Sequence, residues 1–210
     1  MIKILVADDH PVVREGLKQI LSETPDMVVA GEVGTSQEVL NEVWGNGYDV
    51  VLLDISMPGR NGLDILKELK SVKPGIHVLV LTIHPEEQYA VRMLTAGASG
   101  YLTKESAPDE LIAAIRKVSM GGKYVTSSLA ERLAFDLGVD AEKPPHERLS
   151  DREYQVLCMI ASGETVNEIA RELLLSAKTI STYRSHILEK MNMKKSAELI
   201  HYAIQHRLVD

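Results

Sequence analysis

The sequence predicts an α/β domain with a parallel sheet, followed by a smaller domain made only of helices. Five short aliphatic runs alternate with stretches whose apolar residues recur at helical spacing, and from Leu149 to Leu208 the pattern is helical only. Repeated βα units of this size indicate a parallel sheet covered by helices on both faces. The predicted strands are Ile2–Ala7, Met27–Val33, Val50–Asp54, His77–Leu81 and Gly100–Leu102.

Helical spacing is clearest after the first, third and fifth strands, and two prolines mark helix starts. Pro11 and Pro108 stand where the first turn of a helix tolerates proline. The apolar positions are Val12, Val13, Leu17, Ile20 and Leu21 in the first helix, Leu63, Leu66 and Leu69 in the third, and Leu111, Ile112, Ile115 and Val118 in the fifth.

Glycine and proline mark the predicted domain boundaries. Gly121-Gly122 ends the strand–helix alternation, and Pro144-Pro145 favours extended backbone. We therefore expect a first domain over residues 1–120, a linker over 121–147 and a second domain over 148–210. Within the linker, residues 127–138 are expected to form a short helix with Leu129, Leu133 and Leu137 on one face.

Composition is that of an ordinary globular protein, with 45% hydrophobic and 25% charged residues. No apolar stretch approaches the roughly 20 residues that a membrane span needs, no signal peptide is recognisable, and Cys158 is the single cysteine. These features favour a cytoplasmic protein without disulfides.

The net charge of −7 comes from residues 1–145, since residues 146–210 carry nine basic and nine acidic residues. Nucleic-acid binding must therefore depend on local placement.

Three aspartates end two of the aliphatic runs. Asp8 and Asp9 follow the first run, and Asp54 follows the third. Because ligands of open α/β sheets bind outside the carboxyl ends of the strands, these carboxylates converge if the two strands are neighbours. Clustered carboxylates repel unless a cation joins them, and oxygen ligands suit a hard ion such as Mg2+. A single aspartate in such a position is more often a helix cap or a turn residue.

Further residues follow these acids in a recognisable order: Pro58-Gly59-Arg60-Asn61-Gly62, Thr82 and Lys104. With this set, the first domain resembles the receiver domain of two-component response regulators. The resemblance implies a flavodoxin-like fold with strand order 2-1-3-4-5. It also implies that Asp8, Asp9, Asp54 and the backbone carbonyl of Ser56 hold Mg2+, and that Asp54 accepts a phosphoryl group from a sensor histidine kinase or a small phosphodonor.

The same resemblance implies roles for the remaining residues. Lys104 pairs with a phosphate oxygen, and Thr82 donates its hydroxyl to another. Thr82 then moves toward the phosphate, and the ring of Tyr101 fills the space it leaves; the alternative is that Tyr101 is plain core. Asn61 and Gly62 are expected to form a tight turn in which glycine takes a positive φ. Glu105 stands where many receivers have proline, which puts the loop after Lys104 in question.

The second domain carries Leu149-Ser150-Asp151-Arg152-Glu153, Glu168-Ile169-Ala170 and Ser176-Ala177-Lys178-Thr179-Ile180-Ser181-Thr182-Tyr183-Arg184. It resembles the LuxR/NarL-type helix-turn-helix module, which implies four helices. Ser150 or Asp151 can cap the first, with Glu153 completing a capping box. Val166–Leu173 is the expected scaffold helix, and Leu174-Leu175-Ser176 is the turn.

The expected recognition helix runs from about Lys178 to Met191, with Ile180 and Ile187 toward the core. Its other face is long enough to enter a major groove. Lys178 and Thr179, at the helix start, suit phosphate contacts. Ser181, Thr182 and Ser185 are candidate base readers, and Tyr183 and Arg184 can contact backbone or bases. A solvated helix face of an ordinary four-helix domain is the alternative.

Together the two resemblances imply a response regulator in which phosphorylation of Asp54 controls promoter binding and transcription. Such a protein is expected to act as a homodimer, since one small module reads a half-site weakly, with RNA polymerase as a further partner. Its catalysis is limited to its own phosphorylation and dephosphorylation. Two alternatives remain. The first is a Mg2+-dependent aspartyl-phosphate phosphatase, but such an enzyme would usually carry a second acid where this chain has Ser56. The second is a docking module that works without phosphorylation.

Overall fold

The computed structural model describes residues 1–57, 60–127, 129–131 and 144–209. The chain divides into two compact units, Met1–Ala134 and Phe135–Asp210, and this division falls between the described ranges. The predicted helix over residues 127–138 also lies largely outside the described residues, and its described positions, 127 and 129–131, are helical. The predicted domain borders at residues 120 and 148 stay predictions.

The first unit contains a five-stranded parallel sheet in which the second strand along the chain lies at one edge, followed by the first, third, fourth and fifth, and this order confirms the predicted fold class. Five helices alternate with the strands. The elements are β1 Ile2–Ala7, α1 Pro11–Ser22, β2 Met27–Val33, α2 Ser36–Gly45, β3 Val50–Leu53, α3 Gly62–Val72, β4 His77–Thr82, α4 Glu86–Thr95, β5 Gly100–Thr103 and α5 Pro108–Ser119.

One face of the sheet packs against α1 and α5. Ile4 and Val6 of β1 join Leu17 of α1 and Ile115 of α5 in one buried cluster. Because side chains alternate along a strand, Leu5 and Ala7 point to the opposite face, and both are buried. Val12, predicted on the apolar side of α1, is instead 84% exposed. The neighbouring residue Val13 packs against the buried cluster instead, so the core-facing side of the first turn begins one position later.

The chain continues along the sheet after α5. Gly121 has a φ of +84°, a conformation that suits glycine, and reverses the chain. Tyr124 then pairs with Gly100 at the edge of β5, where its N–H donates to Ser99 O at 2.8 Å. Tyr124 also packs against the buried cluster. The start of the expected linker is therefore part of the first unit.

The second unit contains a short 3-10 helix, Pro145–Arg148, and the helices α6 Asp151–Ala161, α7 Val166–Glu172, α8 Ala177–Lys190 and α9 Ser196–Gln205. Ser150 begins α6 with a capping box completed by Glu153, and Thr165 and Glu168 do the same for α7. Leu157, Ile169, Ile180, Ile187 and Leu199 form a fully buried core. Among the described helices, none is both long and apolar enough to cross a membrane.

Candidate functional site

The first candidate site lies at the carboxyl edge of the sheet, where β1 and β3 end side by side with Ala7 opposite Leu53. Asp8 and Asp54 follow these strands and are each 2% exposed. Their backbones continue the sheet: the Asp54 N–H donates to Ala7 O at 2.9 Å, and the Asp8 N–H donates to Val33 O at 3.1 Å. The sheet thus fixes both carboxylates in one place, as their positions in the sequence predicted.

Lys104 joins these two acids. Its Nζ lies 2.7 Å from Asp8 Oδ2 and 2.7 Å from Asp54 Oδ2. The second carboxylate oxygens accept from the backbone, Asp54 Oδ1 from the Ser56 N–H at 2.9 Å and Asp8 Oδ1 from the His10 N–H at 2.8 Å. Burial by itself lowers the pKa of Lys104, but hydrogen bonds and charge attraction from Asp54 and Asp8 outweigh it, so the pKa is raised. Lys104 is therefore a fixed positive charge between two buried negative charges.

The same place offers ligands for a cation. Atoms of Asp8, Asp9, His10 and Asp54 that can bind a metal all lie within 4.8 Å of one another. Within the described part of the chain, Asp9 Oδ1 is buried without a hydrogen-bond partner, although His10 Nδ1 lies 2.9 Å away. A buried carboxylate oxygen without a partner is costly, and a bound cation would satisfy it. The donor set therefore fits a hard divalent metal ion.

Thr82 and Tyr101 lie beside these acids. Thr82 is fully buried, with its Oγ1 3.4 Å from Ser56 Oγ. Tyr101 is fully buried too, and its hydroxyl donates to His84 O at 2.9 Å. Both side chains of the predicted switch are thus buried, and the Tyr101 hydroxyl is held by the loop that follows Thr82.

Two residues of this site were missed by the sequence reasoning. His10 belongs to the group of side chains that lie close enough together to hold a metal ion, which its place beside Asp8-Asp9 could have indicated. Arg14, one turn into α1, donates from Nη1 to Asp8 O at 2.7 Å and from Nε to Glu32 Oε2 at 3.3 Å. No sequence signal pointed to Arg14, because the pairing depends on how α1 lies against β2.

The expected turn at Asn61-Gly62 is wrong. Asn61 is the N-cap of α3, with φ −58°, and its Oδ1 accepts the Leu63 N–H at 2.8 Å. Gly62 is helical and lies outside the positive-φ region. Position 62 requires glycine because its backbone packs closely against Ile55: an added Cβ would lie 2.5 Å from Ile55 Cα. Pro58 and Gly59 of the same motif lie outside the described residues, and the Lys104–Glu105 peptide bond is trans.

The second candidate site is the outer face of α8. The exposed predicted contacts are Lys178, Ser181, Thr182, Arg184 and Ser185, whereas Thr179 and Tyr183 are half-buried. The helix begins at Ser176, whose Oγ accepts the Thr179 N–H at 3.1 Å. Leu174 makes the turn before it in a left-handed conformation, with φ +53°. The structure thus gives α8 one buried and one open face.

The small hydroxyl residues of this face bond within the helix. Ser181 donates to Ala177 O at 2.9 Å, Thr182 to Lys178 O at 3.0 Å, and Ser185 to Ser181 O at 3.1 Å. In this arrangement each hydroxyl proton is used, and the oxygen lone pairs remain free to accept. The face therefore presents acceptors flanked by the cations of Lys178 and Arg184.

Two family models match the chain, one in each unit. The family model described as response regulator receiver domain matches residues 4–116. The model described as bacterial regulatory proteins, luxR family, matches residues 147–203. Each match spans one of the two candidate sites.

Individual proteins align over the whole chain. The response regulator UvrY of Escherichia coli K12 is 38% identical, over 99% of this chain and 96% of its own. The response regulator GacA of Pseudomonas aeruginosa is 37% identical, over 100% of this chain and 99% of its own. A solved structure of RcsB from Salmonella enterica serovar Typhimurium, bound to promoter rprA in the presence of the phosphomimetic BeF3−, is 28% identical in sequence. It superposes with a TM-score of 0.68 over 96% of this chain and 98% of its own. The chain therefore belongs to the response regulators that join a receiver domain to a LuxR-type DNA-binding domain.

Proposed function

We propose that Asp54 is the phosphoryl acceptor of this regulator. Asp54 is the acid that both Lys104 and the Ser56 N–H hold at the end of β3, and this observation carries the proposal. A carboxylate oxygen of Asp54 attacks the phosphorus of a phosphohistidine on a sensor kinase, or of a small phosphodonor. The bond from phosphorus to the donor breaks as the acyl phosphate forms, and the donor leaves with the electron pair of that bond.

Lys104 and Thr82 act on the phosphoryl group in this proposal. The Lys104 ammonium, now shared between Asp8 and Asp54, turns one of its protons toward a phosphoryl oxygen. The buried Thr82 hydroxyl donates to another. Both groups are held in place before the reaction, so little reorganisation is needed as negative charge develops.

We further propose that Asp8, Asp9, Asp54 and the Ser56 carbonyl hold Mg2+. The oxygen-rich donor set supports this choice of ion, and it includes the buried Asp9 Oδ1, which makes no hydrogen bond within the described residues. When bound, Mg2+ neutralises charge on the transferring phosphoryl group. His10 lies close enough to bind a metal, but nitrogen is a poorer ligand for Mg2+ than these oxygens.

Phosphorylation is proposed to act on the second domain through Thr82 and Tyr101, with the buried Tyr101 ring as the phosphorylated arrangement. The regulator then binds promoter DNA as a homodimer, with α8 in the major groove. Lys178 and Thr179 contact phosphates, Ser181, Thr182 and Ser185 read base edges, and Tyr183 and Arg184 add backbone or base contacts. The exposure of this face and the DNA-bound RcsB structure support the assignment. RNA polymerase remains a predicted partner.

The first test is chemical. We would incubate the wild-type chain with acetyl phosphate and Mg2+ and measure intact mass, with hydroxylamine treatment to identify an acyl phosphate. Wild type should gain one phosphoryl group that hydroxylamine removes. Asp54→Ala should gain none, while Asp64→Asn, which changes an exposed acid of α3, should behave as wild type. Labelling of Asp54→Ala to the wild-type level would reject Asp54 as the acceptor.

A further inference from the structure

Lys123, Tyr124 and Thr126 attach the segment after α5 to the receiver, and Lys123 Nζ donates to Ala98 O at 2.5 Å. The attachments through Tyr124 and Thr126 differ in what they reach. The first attachment joins the segment to β5 and α5: the Tyr124 N–H donates to Ser99 O at 2.8 Å, and the Tyr124 hydroxyl donates to Glu110 Oε1 at 3.0 Å. Gly100 permits this approach, because an added Cβ there would lie 2.8 Å from Tyr124 O. This attachment reaches neither the acids of the site nor the loop beside them.

The second attachment joins the segment to α4. Thr126 Oγ1 donates to Glu86 Oε2 at 2.6 Å. Thr126 also caps the helical turn that follows, accepting the Leu129 N–H at Oγ1 at 3.3 Å and the Ala130 N–H at its carbonyl at 3.0 Å. Leu129 in that turn is 3% exposed. The Thr126 side chain therefore links the start of α4 to the helical turn that follows α5.

Glu86 is the residue next to the loop that holds Tyr101. The Tyr101 hydroxyl donates to His84 O at 2.9 Å and approaches Pro85 O at 3.4 Å, and Glu86 follows directly as the first residue of α4. Thr82, at the start of the same loop, accepts the His84 N–H at Oγ1 at 3.4 Å. Glu86 directly follows the two residues that Tyr101 contacts, so a displacement of this loop has a short path to Glu86.

We propose that the Thr126–Glu86 hydrogen bond is a latch that carries the phosphorylation signal into the linker, an inference that rests on the proposed function. The bond coexists here with a buried Tyr101, so the latch belongs to the phosphorylated arrangement. Phosphorylation of Asp54 holds Tyr101 inward, fixes residues 83–85 and places Glu86 where Thr126 can donate to it. When Tyr101 moves outward, residues 83–85 are no longer fixed. Thr126, which caps the helical turn that follows, then loses its hydrogen bond to Glu86.

The test compares variants by the ratio of DNA affinities with and without acetyl phosphate and Mg2+. Thr126→Val should be phosphorylated at the wild-type rate, yet its affinity ratio should fall by about three- to tenfold, the range expected for the net contribution of one hydrogen bond. Thr126→Ser, which keeps the hydroxyl, should restore the ratio. Tyr124→Phe removes a hydrogen bond between the same segment and α5, and should leave the ratio unchanged.

Amide hydrogen exchange at Leu129 and Ala130 gives a readout that does not depend on DNA. Phosphorylation should slow exchange at both in the wild type, but not in Thr126→Val or Asp54→Ala. A wild-type affinity ratio in Thr126→Val, with unaltered protection, would overturn the latch and leave the proposed function standing. An equal loss in Tyr124→Phe would also overturn it, since general docking of the segment would then explain the effect. If wild type shows neither an affinity change nor a change in exchange, both proposals fail.

Discussion

The Lys104 ammonium lies 2.7 Å from the Asp54 carboxylate, and the two residues are 50 positions apart in sequence. The same ammonium lies 2.7 Å from Asp8, so one positive charge partly offsets two acids that are almost completely buried. The stability of the site therefore depends on the Lys104 charge, with or without a phosphoryl group.

Replacing Lys104 by Met should therefore destabilise the receiver. Removing one partner of a buried ion pair costs about 3 kcal/mol, because the remaining charges lose their compensation. We expect a loss of that order in the free energy of unfolding, measured by urea denaturation with EDTA, and partial recovery when Mg2+ is added. Lys104→Arg, which keeps the charge, should lose less. Equal stability of the Met variant and the wild type would show that Lys104 does not balance these acids.

Gly62 should tolerate no side chain. In Gly62→Ala the added Cβ would meet the backbone of Ile55, which cannot move without displacing the loop that carries Ser56. We expect a loss of about 2 kcal/mol in stability from overpacking, together with slower phosphorylation by acetyl phosphate. Gly75→Ala is the matched control, since nothing lies within 4 Å of a Cβ at that position. A Gly62 variant as stable as the Gly75 variant would contradict the packing argument.

Two substitutions on α8 should separate phosphate contact from base reading. Lys178→Ala should weaken binding to all DNA sequences and flatten the dependence of log affinity on log salt by about one unit, because one phosphate contact is lost. Thr182→Ala should leave that slope unchanged and relax preference at one base position. The check is a salt titration on a set of single-base operator variants. An unchanged slope would remove Lys178 from the backbone contacts, and an unchanged preference would move base reading away from Thr182.

Glu164 should make the stability of the second unit depend on pH. Burial, together with the neighbouring acids Glu172 and Glu168, raises the pKa of Glu164 to about 7. Since this exceeds the value of about 4.5 expected when unfolded, folding favours the protonated form, and stability falls as pH rises from about 4.5 to 7. Glu164→Gln should remove this loss, so its melting temperature should exceed that of wild type by several degrees at pH 8 and by less at pH 5.

Glu189→Gln is the control for the pH experiment, because Glu189 is an exposed acid on α8. The histidines of the chain titrate in the same pH range, so the informative quantity is the difference between each variant and wild type. If the melting temperature of Glu164→Gln differs from that of wild type by the same amount at pH 5 and pH 8, the raised pKa of Glu164 is contradicted.

The sequence predicted the sheet order and the meeting of Asp8 with Asp54, because buried parallel strands and the receiver resemblance leave few arrangements. It also predicted the Ser150–Glu153 capping box, which is local. It did not predict that Lys190, 37 positions away, would donate to Glu153 at 2.7 Å. The role of Gly62 was assigned to a turn, because sequence shows conformational freedom but not the approach of Ile55. The attachment of Tyr124 and Thr126 to the receiver was missed for the same reason, since it depends on tertiary contacts that no local pattern encodes.

In the proposed function, phosphorylation of Asp54 switches DNA binding. We would test it by incubating the full chain with fragmented genomic DNA from its source organism and sequencing what it retains. The arms are wild type with and without acetyl phosphate and Mg2+, and Asp54→Ala under both conditions. We predict enrichment of a small set of promoter fragments by phosphorylated wild type alone. Equal enrichment in all four arms would contradict the switch while keeping the DNA-binding role, and no enrichment in any arm would contradict both.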